Sequence, residues 1–111
     1  MKRLVVNKYG GPEVLQLENF DKLKIEESKL RIKVKNIGVN FADSLIIKGR
    51  YQERPRPPFS PGLELSGEII EIGKKISNFQ IGERVIGIAK YGTYTEEIIM
   101  PAENVYKIPD E

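Results

Sequence analysis

Neither cysteine nor histidine occurs among the 111 residues, so the thiolate nucleophile, the imidazole base and the commonest zinc ligands are all missing. Catalytic triads, zinc fingers and zinc hydrolases are thereby excluded. Chemistry falls to carboxylates, tyrosines, amides and backbone. Glu64, just after Pro61-Gly62-Leu63, is the residue most easily taken for a catalytic acid, but no group of Asp and Glu has the spacing of an oxygen-ligand metal loop. Lys48, Arg50, Arg54 and Arg56 form a basic cluster able to attract a phosphate. Tyr91 and Tyr94 flank Gly92 in what reads as a hairpin-like turn, where packing is their expected role. Asn40-Phe41-Ala42-Asp43 has the spacing of a capping box, with Asn40 opening a helix and Asp43 reaching back to it.

The elements that must carry these residues are mostly strands. Alternating or β-branched segments run over residues 4–7, 14–20, 30–39, 65–72, 84–89, 94–100 and 105–108, separated by evenly spread Gly and Pro. Fifteen isoleucines favour the pleated surface over the helix turn. One short helix is expected over residues 41–48, because Phe41 falls over Leu45 and Ala42 over Ile46, with Asn40 as its cap and Gly49 as its stop. The proline-rich stretch 52–59 cannot pair as a central strand and reads as an exposed loop. Gly67, inside the 65–72 strand, predicts a bulge or a close backbone approach. A barrel or sandwich is the expected architecture.

Length indicates one ordinary domain, large enough to bury a core without staples. Residues 1–56 carry thirteen Lys/Arg against seven Asp/Glu, and residues 57–111 carry five against nine. In Leu30-Arg31-Ile32-Lys33-Val34-Lys35 the basic residues alternate with apolar ones, which reads as the wet face of a strand rather than a nucleic-acid surface. No apolar run approaches a signal peptide or a membrane span, so a cytoplasmic protein without a membrane partner is expected.

Six motifs in order resemble one family. They are Tyr9-Gly10-Gly11-Pro12-Glu13-Val14-Leu15, Gly38-Val39-Asn40-Phe41-Ala42-Asp43, Lys48-Gly49-Arg50-Tyr51, Pro61-Gly62-Leu63-Glu64-Leu65-Ser66-Gly67, Gly82-Glu83-Arg84-Val85 and Gly92-Thr93-Tyr94-Thr95-Glu96. Together they resemble the N-terminal GroES-like domain of the medium-chain dehydrogenases/reductases, in the zinc-independent quinone oxidoreductase branch that includes zeta-crystallin. The resemblance implies a mainly β, partly open barrel with one or two short helices over residues 1–111. It also implies NADPH as cofactor, a quinone or enone as substrate, and Asn40 and Tyr51 as cleft residues near the nicotinamide and the substrate. No residue here is implied to be catalytic or to hold a metal. Glu64 takes a structural or cleft-edge role, and the basic loop stays solvated because the family holds the 2′-phosphate on another domain. Many relatives carry a tyrosine where this chain has Leu45, which points to a more apolar pocket.

Dinucleotide binding in the family rests on a Rossmann domain, with a Gly-rich turn between strand and helix. No such unit is present in these residues; the glycines of Gly82-Glu83-Arg84-Val85-Ile86-Gly87 have the wrong spacing. Holding donor against acceptor supplies about 7–11 kcal/mol of a barrier, which one wall of a cleft cannot deliver. The chain is therefore expected to be the substrate-side domain of a reductase and inactive alone, its Rossmann partner lying in cis or trans. Two competing readings are a free-standing module that docks a separate Rossmann chain, marked by a large exposed apolar patch, and a co-chaperonin, marked by a seven-membered ring.

Overall fold

The computed structural model describes residues 1–109. Among these residues seven strands form two antiparallel sheets, accompanied by one α-helix. Strands β1 (Lys2–Val6) and β2 (Leu15–Asn19) pair as a hairpin around a single 3-10 turn at Pro12–Val14. The larger sheet has the order β6-β3-β4-β5-β7, from β3 (Lys29–Ile37), β4 (Glu64–Ile72), β5 (Arg84–Ile88), β6 (Glu97–Pro101) and β7 (Val105–Lys107). Helix α1 (Phe41–Ile47) crosses between β3 and β4. The sheets do not close on each other. This is the expected mainly β, partly open barrel, with 3-10 turns at Pro12–Val14 and Ala102–Asn104 beside the one helix.

Period-two burial builds the main core from one face of the larger sheet. Val85 and Gly87 of β5 point inward while Ile86 and Ile88 face out. Leu30, Ile32, Leu65, Ile69, Phe79, Val85, Met100 and Val105 form the buried cluster. A second cluster of Val6, Ile46, Ile47 and Phe59 lies under α1, with Val14, Leu15, Tyr51 and Leu63 packed against it. The hairpin is fastened to the rest along the free edge of β1. There Leu4 N–H donates to the Tyr94 carbonyl (2.9 Å), Val6 N–H to the Phe59 carbonyl (2.7 Å), and Glu96 N–H to the Lys2 carbonyl (3.0 Å).

Three expectations change. The 94–100 strand begins later, at Glu97, because the Tyr94 carbonyl and the Glu96 N–H are taken by Leu4 and Lys2 of β1 and the Tyr94 N–H by the Pro61 carbonyl. Phe59 is buried rather than exposed, since the end of the proline-rich loop docks on Val6 by a reciprocal bridge. Arg31 is not on a wet face. A register shift between Arg31 and Ile32 leaves Leu30, Arg31 and Ile32 all buried, and the Arg31 guanidinium is held by Glu71 (2.6 Å) and by the Leu23 carbonyl. Lys33 and Lys35 do face solvent.

Gly67 meets both halves of its expectation. A second register shift in β3 lies opposite it, and a Cβ at Gly67 would stand 2.3 Å from the Lys33 carbonyl oxygen. A Cβ at Gly87 would instead meet the flexible Met100 thioether, with Sδ at 2.7 Å. Backbone cannot yield as a thioether can. Gly67→Ala is expected to cost about 1–3 kcal/mol in urea unfolding, and more than Gly87→Ala. Equal losses at the two positions would refute the close approach.

Candidate functional site

Helix α1 has seven residues, too few to be stable by itself, so its position depends on its ends and on what it buries. The C-terminal end is a Schellman arrangement. Gly49, at φ 70°, donates to the Ile46 carbonyl (3.0 Å), and Arg50 donates to the Leu45 carbonyl (2.8 Å). At the N-terminal end Asn40 is extended (φ −119°, ψ 155°) and forms a capping box with Asp43. Its well-formed bond runs from Asn40 N–H to Asp43 Oδ2 at 2.9 Å. The Asp43 N–H faces the Asn40 side-chain oxygen without full hydrogen-bond geometry and donates to the Asn40 main-chain carbonyl (3.0 Å); the Asn40 NH₂ group makes no hydrogen bond among the described residues.

Asp43 does more than close the box. It is 2% exposed, and its Oδ2 also accepts the Tyr94 hydroxyl at 2.8 Å, across 51 residues of sequence. Oδ1 is buried with no partner. Thr93, beside Tyr94, is fully buried, its hydroxyl likewise without a partner. Gly62, at φ 111°, lets the Pro61-Gly62 turn lie against this pair; a Cβ there would stand 2.0 Å from Thr93 Oγ1. Burial first, then the hydrogen bond and charge of Asp43, push the Tyr94 hydroxyl well above its usual pKa.

Tyr51 follows α1 at its far end, half-buried against the second cluster; its hydroxyl makes no hydrogen bond among the described residues. Asn40 and Tyr51 therefore flank the two ends of α1, a helix roughly 10 Å long at 1.5 Å per residue. Val39 and Phe41, on either side of Asn40, are 77% and 81% exposed. Leu45 is half-buried in the middle of α1. Glu64 opens β4 with its carboxylate folded over Gly38, where a Cβ would lie 2.0 Å from Oε1. That contact gives Glu64 a packing function. Tyr91 packs edge-on against Phe59 (6.1 Å, 75°). Lys48, Arg50, Arg54 and Arg56 are exposed and pair with no carboxylate among the described residues.

Sequence reasoning found the capping box and missed the Tyr94 bond. Nothing local marks it, because a buried carboxylate that caps a helix looks the same whether or not a distant hydroxyl reaches it. The N-terminus of α1 is already occupied by the Asp43 carboxylate, which repels a phosphate there. The Asn40 side-chain amide and the Tyr51 ring and hydroxyl are the neutral polar and aromatic groups left at the two ends of the helix.

Because the folded state holds the Tyr94 proton more tightly than the unfolded chain, stability from this group is complete below pH 10 and falls as pH rises above it. Chemical unfolding between pH 9 and about 11.5 is expected to show that fall in the natural chain and much less of it in Tyr94→Phe. At pH 7 the same substitution strips a donor from a buried carboxylate and is expected to cost about 1.5–3 kcal/mol. Parallel pH profiles for the two proteins would exclude the assignment.

The alcohol dehydrogenase GroES-like domain family matches residues 26–110. A quinone oxidoreductase-like protein 2 homolog of Nematostella vectensis is 38% identical over 109 residues, covering 97% of this chain and 30% of the relative. The quinone oxidoreductase of Lama guanicoe is 39% identical over 113 residues, covering all of this chain and 34% of the relative. Among solved structures, human synaptic vesicle membrane protein VAT-1 homolog-like protein superposes at a TM-score of 0.93 with 34% identity, over 99% of this chain and 35% of that one. Escherichia coli quinone oxidoreductase complexed with NADPH superposes at 0.92 with 30% identity, over 98% of this chain and 33% of that one. The chain thus spans about a third of the length of the relatives it matches. Six motifs, an open antiparallel barrel with a single capped helix, and the family match agree: the chain belongs to the alcohol dehydrogenase GroES-like domain family, and quinone oxidoreductases are among the proteins it resembles over its whole length.

Proposed function

We propose that this chain is the substrate-side domain of an NADPH-dependent quinone oxidoreductase that acts on quinones or enones in the cytoplasm. The observation that carries the reading is the superposition of nearly the whole chain on an Escherichia coli quinone oxidoreductase complexed with NADPH. NADPH, when bound, supplies the hydride; a proton from solvent completes reduction of the quinone to the quinol. Asn40 binds the carboxamide end through its free NH₂ group, and Tyr51 places its ring and hydroxyl against the flat substrate. Val39 and Phe41, both exposed, are the apolar rim on which a second wall closes and excludes water. That wall is a Rossmann domain, in cis or trans, which holds the diphosphate that α1 repels. Zinc has no role, since the sequence offers neither Cys nor His to ligate it.

Alone, the chain is expected to oxidise NADPH with a quinone no faster than the buffer does. Joined to the nucleotide-binding domain of a quinone oxidoreductase relative, it is expected to turn over, and Asn40→Ala and Tyr51→Phe are each expected to lower kcat/KM about tenfold with folding intact. Turnover by the lone chain, or a joined enzyme indifferent to both substitutions, would refute the proposal.

A further inference from the structure

Tyr51 opens a stretch with little backbone support. From Tyr51 to Pro58 no main-chain group bonds to another main-chain group among the described residues, and pairing resumes only at Phe59, which bridges to Val6. One side chain ties this loop to the body. Tyr9, in the bend after β1, donates its hydroxyl to the Pro55 carbonyl at 2.7 Å. Its ring lies on Gly49, where a Cβ would stand 2.9 Å from Cδ1 and 3.0 Å from Cε1. Tyr9 thus holds the chain just before Tyr51 and again shortly after it. The other link is an ion pair between exposed side chains, Lys90 Nζ to Glu53 Oε1 at 3.9 Å, beyond hydrogen-bond range.

Tyr9 is itself fixed from two sides. Gly10 N–H donates to the Ile47 carbonyl at 3.0 Å, so the bend that carries Tyr9 is bonded to the last residue of α1. The Tyr9 ring also stands 6.4 Å from that of the buried Phe59, tilted by 52°. With its backbone anchored and its ring set between Gly49 and Phe59, the phenol has little freedom left to lose when its hydroxyl meets Pro55. An exposed bond between neutral groups is weak, but it decides the position of a loop that has almost nothing else to hold it. We propose that Tyr9 is the positioning residue for Tyr51: by holding the segment 49–55 at two points it fixes where the Tyr51 hydroxyl stands when a quinone or enone meets it. What Tyr51 contacts rests on the reductase reading, whereas what Tyr9 holds rests on the fold alone. Asn40, at the other end of α1, lies outside this segment, so Tyr9 governs the substrate and not the cofactor.

Two measurements test the two parts separately. In the isotope-labelled lone chain, NMR order parameters of the Gln52, Glu53 and Arg54 amides are expected to fall from above about 0.7 to below about 0.6 in Tyr9→Phe, which keeps the ring on Gly49 and loses only the hydroxyl. The urea midpoint is expected to stay in place, because the lost bond is exposed. Lys90→Ala, which removes the pair with Glu53, is expected to leave the order parameters as they are. In the joined enzyme Tyr9→Phe is expected to raise the quinone KM about threefold, with kcat and the NADPH KM unchanged, and to add nothing in a Tyr51→Phe background. Order parameters unchanged by Tyr9→Phe, equal loosening by Lys90→Ala, or losses from Tyr9→Phe and Tyr51→Phe that simply multiply would each overturn the proposal. A joined enzyme indifferent to Tyr51→Phe refutes Tyr51 as a substrate contact and the positioning role with it, while the hold of Tyr9 on the loop stands or falls by the order parameters.

Discussion

A buried carboxylate fixes where α1 lies. Asp43 is removed from water almost completely, and an ionised group in that position is tolerable only if donors are delivered to it. Two are: the Asn40 amide from the turn before the helix and the Tyr94 hydroxyl from the segment bound along β1. Each arrives from a different part of the chain, so satisfying one atom, Oδ2, fastens the helix to the connection after β3 and to the strip that joins the hairpin to the sheet. A seven-residue helix has little intrinsic stability with which to resist misplacement. Its burial of Ile46 and Ile47 supplies attraction without direction, whereas the Asp43 bonds supply direction.

The same constraint explains the neighbouring glycine. Oδ1 of Asp43 and the Thr93 hydroxyl remain unpaired in the interior, a cost that close packing around them sustains. Gly62 admits the Pro61-Gly62 turn to van der Waals range of Thr93 and Tyr94, where any side chain would collide. The Tyr94 carbonyl and amide are bonded as well, to Leu4 N–H and to the Pro61 carbonyl. Hairpin, turn and helix thus converge on one residue whose ring, hydroxyl and backbone are all committed. The exposed partner in that turn, Tyr91, makes no side-chain hydrogen bond among the described residues and packs edge-on against Phe59.

Strand alternation, the helix at residues 41–47, its capping box and its glycine stop were legible in the sequence because each is a local pattern with a fixed period or spacing. The failures share a cause. Arg31 alternates correctly, but a register shift turns it inward, and shifts depend on the partner strand. Phe59 sits in a loop by every local signal and is buried only because β1 offers it a free edge. Tyr94 reads as a turn residue, and its hydroxyl finds a carboxylate 51 positions away. For Asn40 and Tyr51 the sequence offers the residue types and the spacing, but a resemblance to relatives was needed to point at them.

One helix therefore serves two incompatible ends. An uncapped α1 would present amides and a positive dipole end to an anion, the usual way in which a strand-to-helix turn holds a dinucleotide. Asp43 forecloses this by placing its own negative charge on the Asn40 amide and sinking it into the interior. What the end of the helix retains is the neutral Asn40 side chain, which makes no full capping bond while the Asp43 N–H donates to the Asn40 carbonyl. In the proposed function such a domain reads the uncharged end of the cofactor and leaves the charged end to another part of the protein. The exposed Val39 and Phe41 on either side of Asn40 are where apolar surface is left over for that part to cover. The carboxylate that positions α1 is thus also the group that divides the labour of binding.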